Sequence, residues 1–251
     1  MNAPKTYTDS ISVPSLVTDT VDRLSVPGMA KLFEELAWQH ARRLGVDFTE
    51  GTEFFWVLSR MRVRVHRLPS WSEQIHLETW PSGIKRLFAC REFRIRDRDG
   101  IDLILGTSRW LVMQAGTGRP VPPDRAFDPA LIPATPASLD EEPEKLSADG
   151  EAEPQNRLSV RYSDLDRNRH TNNTRYLVWM LDSLAPEVHE SRMIRDFDLN
   201  FTAESHFGDT LLVHAPPLGD DNSFRPYVVR ERDGATVALG RFAFLPQEGG
   251  S

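Results

Sequence analysis

VHRLPSWSEQIHLET at residues 65–79 and FTAESHFGDTLLVHA at residues 201–215 lie over one another without a gap. Ser72-Glu73 falls on Gly208-Asp209, the expected turn between two strands, and an alternating strand pattern follows in both. This alignment divides the chain into two similar halves. Each half must then contain what surrounds its copy.

In the first half TYTDSISV reads as a strand. SVPGMAKLFEELAWQHARRLG then reads as a helix, with Ser25 as cap, Pro27 in the first turn and Gly45 as the stop. Met29, Leu32, Phe33, Leu36, Ala37 and Leu44 recur at helical spacing. The period then changes to two. In WVLSRMRVRVHRL, Met61, Val63 and Val65 face one way and Arg60, Arg62 and Arg64 the other, which predicts a half-buried antiparallel strand. QIHLETW, LFACREFRIRD and LILGTSRWLVMQ predict three more strands, with a hairpin at Asp97–Gly100. The second half repeats the order. LSVRYSDLD is a strand entering a loop, and NNTRYLVWMLDSLA is a helix with Tyr176, Leu177, Met180, Leu181 and Leu184 on one stripe. MIRDFDLNF, TLLVHAP, FRPYVVRERDG and ATVALGRFAFL are strands, and Asp233-Gly234 repeats the hairpin signal. The expected class is α+β, with one helix per half burying its apolar stripe against a curved antiparallel sheet.

The halves are residues 1–119 and 157–251, joined by a linker at 120–156. The bridging stretch carries Pro120, Pro122, Pro123, Pro129, Pro133, Pro136, Pro143 and Pro154 and the acidic run DEEPE at 140–144. Its tail is the part expected to be least ordered. The 251 residues are 39% hydrophobic and 27% charged, an ordinary globular balance that can fill two cores. No apolar run has the length of a membrane span, and MNAPKTYTDSISVPS lacks the apolar core of a signal peptide, so a cytoplasmic protein is expected. The net charge of −7 argues against nucleic acid as a partner. Cys90 is the only cysteine, which excludes an internal disulfide and a thiolate zinc cluster. It sits in a strand, where apolar packing is the simpler reading.

The densest polar segment is YSDLDRNRHTNNTRY at 162–176. Asp164, Asp166, Asn168 and His170 occupy alternate positions, and in extended chain they would share a face. Asn172 and Asn173 then open a helix, whose free amides and positive dipole end favour developing negative charge. A calcium loop starting at Asp164 fails, because position six is Arg169 rather than Gly and position twelve is Arg175 rather than Glu. A plain polar loop entering a helix is the competing reading. The repeat argues for chemistry: SVPGMAK is taken as the first-half counterpart of the polar run, and Leu68 stands in the place of Glu204.

SDLDRNRHTNNTRYLVWMLD resembles the signature of the acyl-acyl carrier protein (acyl-ACP) thioesterases, plant and bacterial. FFWVLSRMRVRVHRLPSWSEQIHLETWP, GTSRWLVMQAGTGRPVPP and FTAESHFGDTL are similar to further ordered motifs of that family, over about 200 residues in all. The resemblance implies a double hotdog fold, two helices each wrapped by a sheet. It also implies hydrolysis of fatty acyl-ACP to free fatty acid and carrier. By the same resemblance the D-x-N-x-H of the family falls on Asp166, Asn168 and His170, and its downstream carboxylate on Glu204. The next position, a cysteine in many plant members, is Ser205 here, which speaks against a cysteine nucleophile.

The roles that follow are a water activated by Glu204, which His170 orients, with Asn168 positioning water or carbonyl. Asp166 holds Asn168 and His170, and the amides near Asn172 and Asn173 stabilise the oxyanion. Attack by a carboxylate to form an anhydride stays open. An acyl pocket is implied in the first domain, with Trp56, Leu58, Met61 and helix 27–44 as candidates. The partner implied is acyl carrier protein, whose acidic surface would meet Arg60, Arg62 and Arg64, or Arg94, Arg96 and Arg98. No cofactor or metal is suggested, and either a monomer or a homodimer fits. An acyl-CoA thioesterase and a non-catalytic acyl-binding module are the alternatives.

Overall fold

The computed structural model describes residues 5–48, 52–132, 135–148 and 152–246. Residues 1–4 of the N-terminal stretch and Pro133 of the bridging stretch lie outside the described residues. The chain forms two compact units that divide between Pro143 and Glu144.

In the first unit, strand β1 (Tyr7–Ser12) and a 3-10 turn (Ser15–Val17) lead to helix α1 (Val26–Leu44). The helix starts where Ser25 accepts a hydrogen bond from Gly28 N at 3.1 Å, worth about 1 kcal/mol, and stops at Gly45, whose φ of 71° only glycine adopts cheaply. Gly28 is fixed by packing: a Cβ there would sit 2.3 Å from the Val17 carbonyl oxygen. Strands β2 (Phe54–Val65), β3 (Gln74–Lys85), β4 (Phe88–Asp97) and β5 (Asp102–Gln114) follow, then the short β6 (Arg119–Val121). They pair antiparallel in the order β1-β3-β4-β5-β2, with β6 on β5. Met61, Val63 and Val65 are buried and the alternating arginines are not, as their period of two requires. α1 packs through Phe33, which stacks on Phe93 of β4 with centroids 4.5 Å apart.

The second unit contains β7 (Pro154–Ser159), a 3-10 turn (Tyr162–Asp164), α2 (Asn173–Leu181), α3 (Pro186–Ser191), β8 (Ile194–Phe201) and β9 (Thr210–His214). It closes with β10 (Ser223–Phe224), β11 (Tyr227–Arg230) and β12 (Ala235–Phe244). The order is β7-β9-β11-β12-β8, with β10 on β12. Strand for strand this is the order of the first unit. α2 buries Tyr176, Leu177, Met180 and Leu181, but it ends there, and Leu184 lies beyond it. Pro186 holds Ala185 extended (ψ 146°), so the chain restarts as α3 rather than prolonging α2.

The two aligned turns match atom for atom. Ser70 N donates to Glu73 Oε2 and His206 N to Asp209 Oδ2, each at 2.9 Å. Ser72 and Gly208 both take left-handed φ, 63° and 83°. The hairpins predicted at Gly100 and Gly234 have φ of 81° and 68°. The helix-on-antiparallel-sheet class read from the sequence therefore stands.

The bridging stretch is less loose than its prolines suggest. Trp80 Nε1 donates to Pro136 O at 2.9 Å, and the Ser138 amide and hydroxyl both donate to the buried Glu92 carboxylate at 3.0 Å. The tail expected to be least ordered is tied down at its start. The Glu144 amide donates to Asp198 Oδ1 and the Leu146 amide to Asn200 Oδ1, both at 3.0 Å, which satisfies two polar side chains buried in β8.

Candidate active site

The loop at 166–170 is built by Asp166. Its Oδ1 accepts from the amides of Asn168 (2.8 Å) and His170 (3.0 Å), and its own amide donates to His170 O at 2.8 Å. Arg169 takes the left-handed turn at φ 62°. Asp19 does the same in the first unit, accepting from Val21 N at 3.1 Å and Arg23 N at 2.8 Å, with Asp22 at φ 60°. The counterpart of the polar run 162–176 is therefore residues 15–29, and the placement on SVPGMAK, which lies over 172–178, is corrected. Backbone pairing fixes the register: Leu24 N donates to Pro69 O as Thr171 N does to Ser205 O. In that register Asn168, His170 and Glu204 stand where the first unit has Val21, Arg23 and Leu68. The loop scaffold is common to both units, and the Asn, His and Glu at these positions occur only in the second.

A bridge between His170 and His206 joins this loop to the segment before β9. It brings His170 Nε2 to 3.5 Å from Glu204 Oε2 and sets the His170 and His206 rings edge to face, centroids 5.1 Å apart. Glu204 and His206 are two residues apart and flank Ser205, so they project to the face opposite it. Ser205 points inward and is fully buried, with Oγ 2.6 Å from Thr171 Oγ1 and 2.7 Å from the Tyr176 hydroxyl. Burial raises the Tyr176 pKa, so the hydroxyl stays protonated. The Asn168 carboxamide oxygen is buried without a hydrogen-bond partner among the described residues. An acceptor left so is aimed at something that donates.

Asp164 does not share a face with the others. The 3-10 turn removes the extended geometry on which that expectation rested, and Asp164 is buried, accepting from Arg161 N at 2.8 Å and pairing with Arg175 Nε at 2.7 Å. Asn172 is the cap of α2, its side chain accepting from Thr174 N at 2.8 Å, while its own amide donates to Asp164 O. Of the two asparagines, Asn173 keeps an amide with no acceptor among the described residues. His206 stands beside His170 and was not singled out from the sequence. The signal was present as Glu-Ser-His alternation, but without the bridge nothing joined it to His170.

The first unit contains a pocket of about 530 Å³, part of it open to solvent, between α1 and the sheet. Ala37, Trp38, Ala41, Trp56, Ala89 and Trp110 line it. Trp56 is thus a wall, whereas Leu58 and Met61 are buried core and not lining residues. Cys90 also faces it, and burial pushes the thiol pKa up, as fits a packing role. One polar group was not anticipated. Arg91 is among the lining residues, its Nη1 lies 3.2 Å from His40 Nδ1 and Thr79 Oγ1, and burial lowers its pKa to about 10. The arginines considered for docking are largely neutralised. Arg64 pairs with Glu141 at 2.9 Å, Arg96 with Asp102 at 2.9 Å, and Arg94 with Glu78 at 3.6 Å. Arg167 and Arg169, on either side of Asn168, are exposed. Among the described residues no helix is long and apolar enough to cross a membrane.

Residues 4–124 match the family "Acyl-ACP thioesterase N-terminal domain", and residues 147–245 match "Acyl-ACP thioesterase C-terminal domain". A chloroplastic acyl-[acyl-carrier-protein] hydrolase of Cuphea viscosissima is 27% identical over 98% of this chain and 64% of its own length. An oleoyl-acyl carrier protein thioesterase of Coriandrum sativum is 30% identical over 79% of this chain and 59% of its own. The chain thus spans about three fifths of the length of the curated relatives it matches. The crystal structure of an acyl-ACP thioesterase from Bacteroides thetaiotaomicron superposes with a TM-score of 0.82 at 26% identity, covering 96% of this chain and 98% of that one. The 12:0-ACP thioesterase of Umbellularia californica, at 22% identity, shares the fold with a TM-score of 0.86 over 97% and 98% of the two chains.

Proposed function

Because the chain belongs to the acyl-ACP thioesterase family, we propose that it hydrolyses a fatty-acyl thioester on acyl carrier protein, releasing free fatty acid and the carrier's thiol. The observation that carries this reading is the pair His170 and Glu204, 3.5 Å apart, an imidazole and a carboxylate where the first unit has Arg23 and Leu68.

Glu204 takes a proton from water, and His170 orients its carboxylate. The hydroxide adds to the thioester carbonyl carbon. Negative charge on the carbonyl oxygen is met by the Asn173 amide at the start of α2. When the tetrahedral intermediate collapses, the C–S bond breaks and the leaving thiolate recovers the proton from Glu204. The buried Asn168 oxygen accepts from the attacking water and sets its direction. Asp166 acts through the backbone, as a positioning residue. Ser205 is spent on Thr171 and Tyr176, which favours the water route over a nucleophile at that position.

The acyl chain occupies the apolar pocket of the first unit. The carrier meets Arg167 and Arg169 beside the catalytic loop, since its acidity calls for exposed positive charge there. The test is fatty-acid release from a series of acyl-ACPs by wild type and Glu204→Gln. Release by wild type alone supports the reading. Equal release by both overturns the role of Glu204, and a preference for the same acyl group on CoA overturns the carrier as substrate.

A further inference from the structure

Glu204, His206 and His170 form a ligand set. Each offers one donor atom (a carboxylate oxygen and two imidazole nitrogens), and the three atoms lie within 4.8 Å of one another. The backbone accounts for this. Glu204 and His206 alternate along one segment, and the bridge places His170 directly across from His206. Hydrolysis as argued above uses Glu204 and His170 but leaves His206 without a task.

We propose that His170, Glu204 and His206 bind a divalent transition-metal ion of the zinc class, and that this ion inhibits the enzyme. Two imidazoles and one carboxylate with an open fourth position suit Zn²⁺, whereas Mg²⁺ and Ca²⁺ favour oxygen ligands. With bonds of about 2.0–2.1 Å, neighbouring ligand atoms of a tetrahedral shell lie roughly 3.3 Å apart. His170 and Glu204 are already at 3.5 Å. The exposed His206 side chain closes the remaining distance by rotating while its backbone stays held by Asp209, whose Oδ2 accepts from His206 N at 2.9 Å. Inhibition rests on the function proposed above. The ion engages the Glu204 oxygen that would otherwise activate water and the His170 nitrogen that orients that carboxylate, so metal and reaction compete for the same atoms.

The test uses the full chain, chelator-treated and without a histidine tag. Zn²⁺ and Mg²⁺ are titrated calorimetrically into wild type and His206→Ala, and Co²⁺ absorption reports the ligand geometry. Hydrolysis is followed by fatty-acid release, because product thiols bind Zn²⁺. The expected results are one Zn²⁺ per wild-type chain, no Mg²⁺, and at least about tenfold weaker Zn²⁺ binding by His206→Ala. Zn²⁺ should inhibit wild type, and His206→Ala should keep its metal-free activity and lose the inhibition. Absence of Zn²⁺ binding, or equal binding by the variant, overturns the site. Activity that disappears on chelation and returns with Zn²⁺ overturns the inhibitory role. Calorimetry decides the metal site even if no acyl-ACP is hydrolysed, so the two readings fail separately.

Discussion

The Tyr176 hydroxyl lies 2.7 Å from Ser205 Oγ, inside the core of the second unit and away from the face that carries Glu204. A serine held this way is an internal hydrogen-bonding group and not a nucleophile. Ser205→Ala should keep kcat within a few-fold of wild type. It should cost about 1–3 kcal/mol of stability, because the buried Tyr176 and Thr171 hydroxyls each lose a hydrogen-bonding partner. Steady-state kinetics beside a thermal melt checks both, and a loss of kcat as large as that of Glu204→Gln would restore a nucleophilic role.

Asp19 and Asp166 build the same loop in two settings. Asp19→Ala and Asp166→Ala should both lower the melting temperature, since each removes the one oxygen that accepts from two amides, and Asp19→Ala should lower it more because it also loses the ion pair with Arg23 at 3.1 Å. Only Asp166→Ala should lower kcat as well. Equal kcat in the two variants would mean that loop geometry is irrelevant to turnover.

Substitutions at the reacting pair should act on rate and not on folding. His170→Gln and Glu204→Gln should each reduce kcat by about 10²- to 10⁴-fold with little change in melting temperature. Asn168→Ala should reduce kcat while stability holds or rises, because it deletes a buried acceptor with no partner. A stability loss with full activity would contradict that account.

The pocket predicts a length effect. Ala41→Phe, which adds a ring to the pocket wall, should shift the preferred substrate toward shorter acyl chains and leave kcat on the best short chain near wild type. The fatty acids released from an acyl-ACP mixture report this by gas chromatography. An unchanged profile would place the acyl chain elsewhere.

Glu73 links the repeat to pH. The Arg67 side chain, with hydrogen bonds at 2.8 and 2.6 Å, and the Ser70 amide hold its carboxyl below the ordinary glutamate value. A lowered folded-state pKa contributes stability that is present above the unfolded value, about 4.3, and is lost as pH falls through the folded value. Glu73→Gln should therefore lower the urea midpoint at pH 7, and the gap to wild type should narrow as pH drops below about 4. A gap independent of pH would assign the effect to shape and not to charge.

Much of the architecture was legible because its signals are local. Ser25 and Gly45 mark the ends of α1, Gly100 and Gly234 mark tight hairpins, and the alternation of Met61, Val63 and Val65 with arginines marks a strand with one wet face. Each follows from backbone conformation or side-chain period within a few residues. The repeat added long-range order, because aligning Ser72-Glu73 with Gly208-Asp209 is a statement about two turns at once. The end of α2 escaped because the apolar stripe continues to Leu184 while Pro186 withdraws the backbone.

The candidate site divides in the same way. Asp166, Asn168, His170 and Glu204 could be chosen from the sequence because their residue types suit the chemistry and because they resemble a known signature. Their division of labour could not. Alternate spacing predicted one shared face, but a 3-10 turn and an Asp-centred loop bury Asp164 and turn Asp166 onto backbone amides. The arrival of His206 against His170, the inward rotation of Ser205, and the place of Arg91 among the residues lining an apolar pocket depend on pairings between residues far apart in sequence. By itself the sequence determined the main strands and helices, most of their ends and that they form twice, since those are properties of short stretches. Only the tertiary structure decided which side chains face each other, because one bridge register selects the neighbours and no local pattern encodes it.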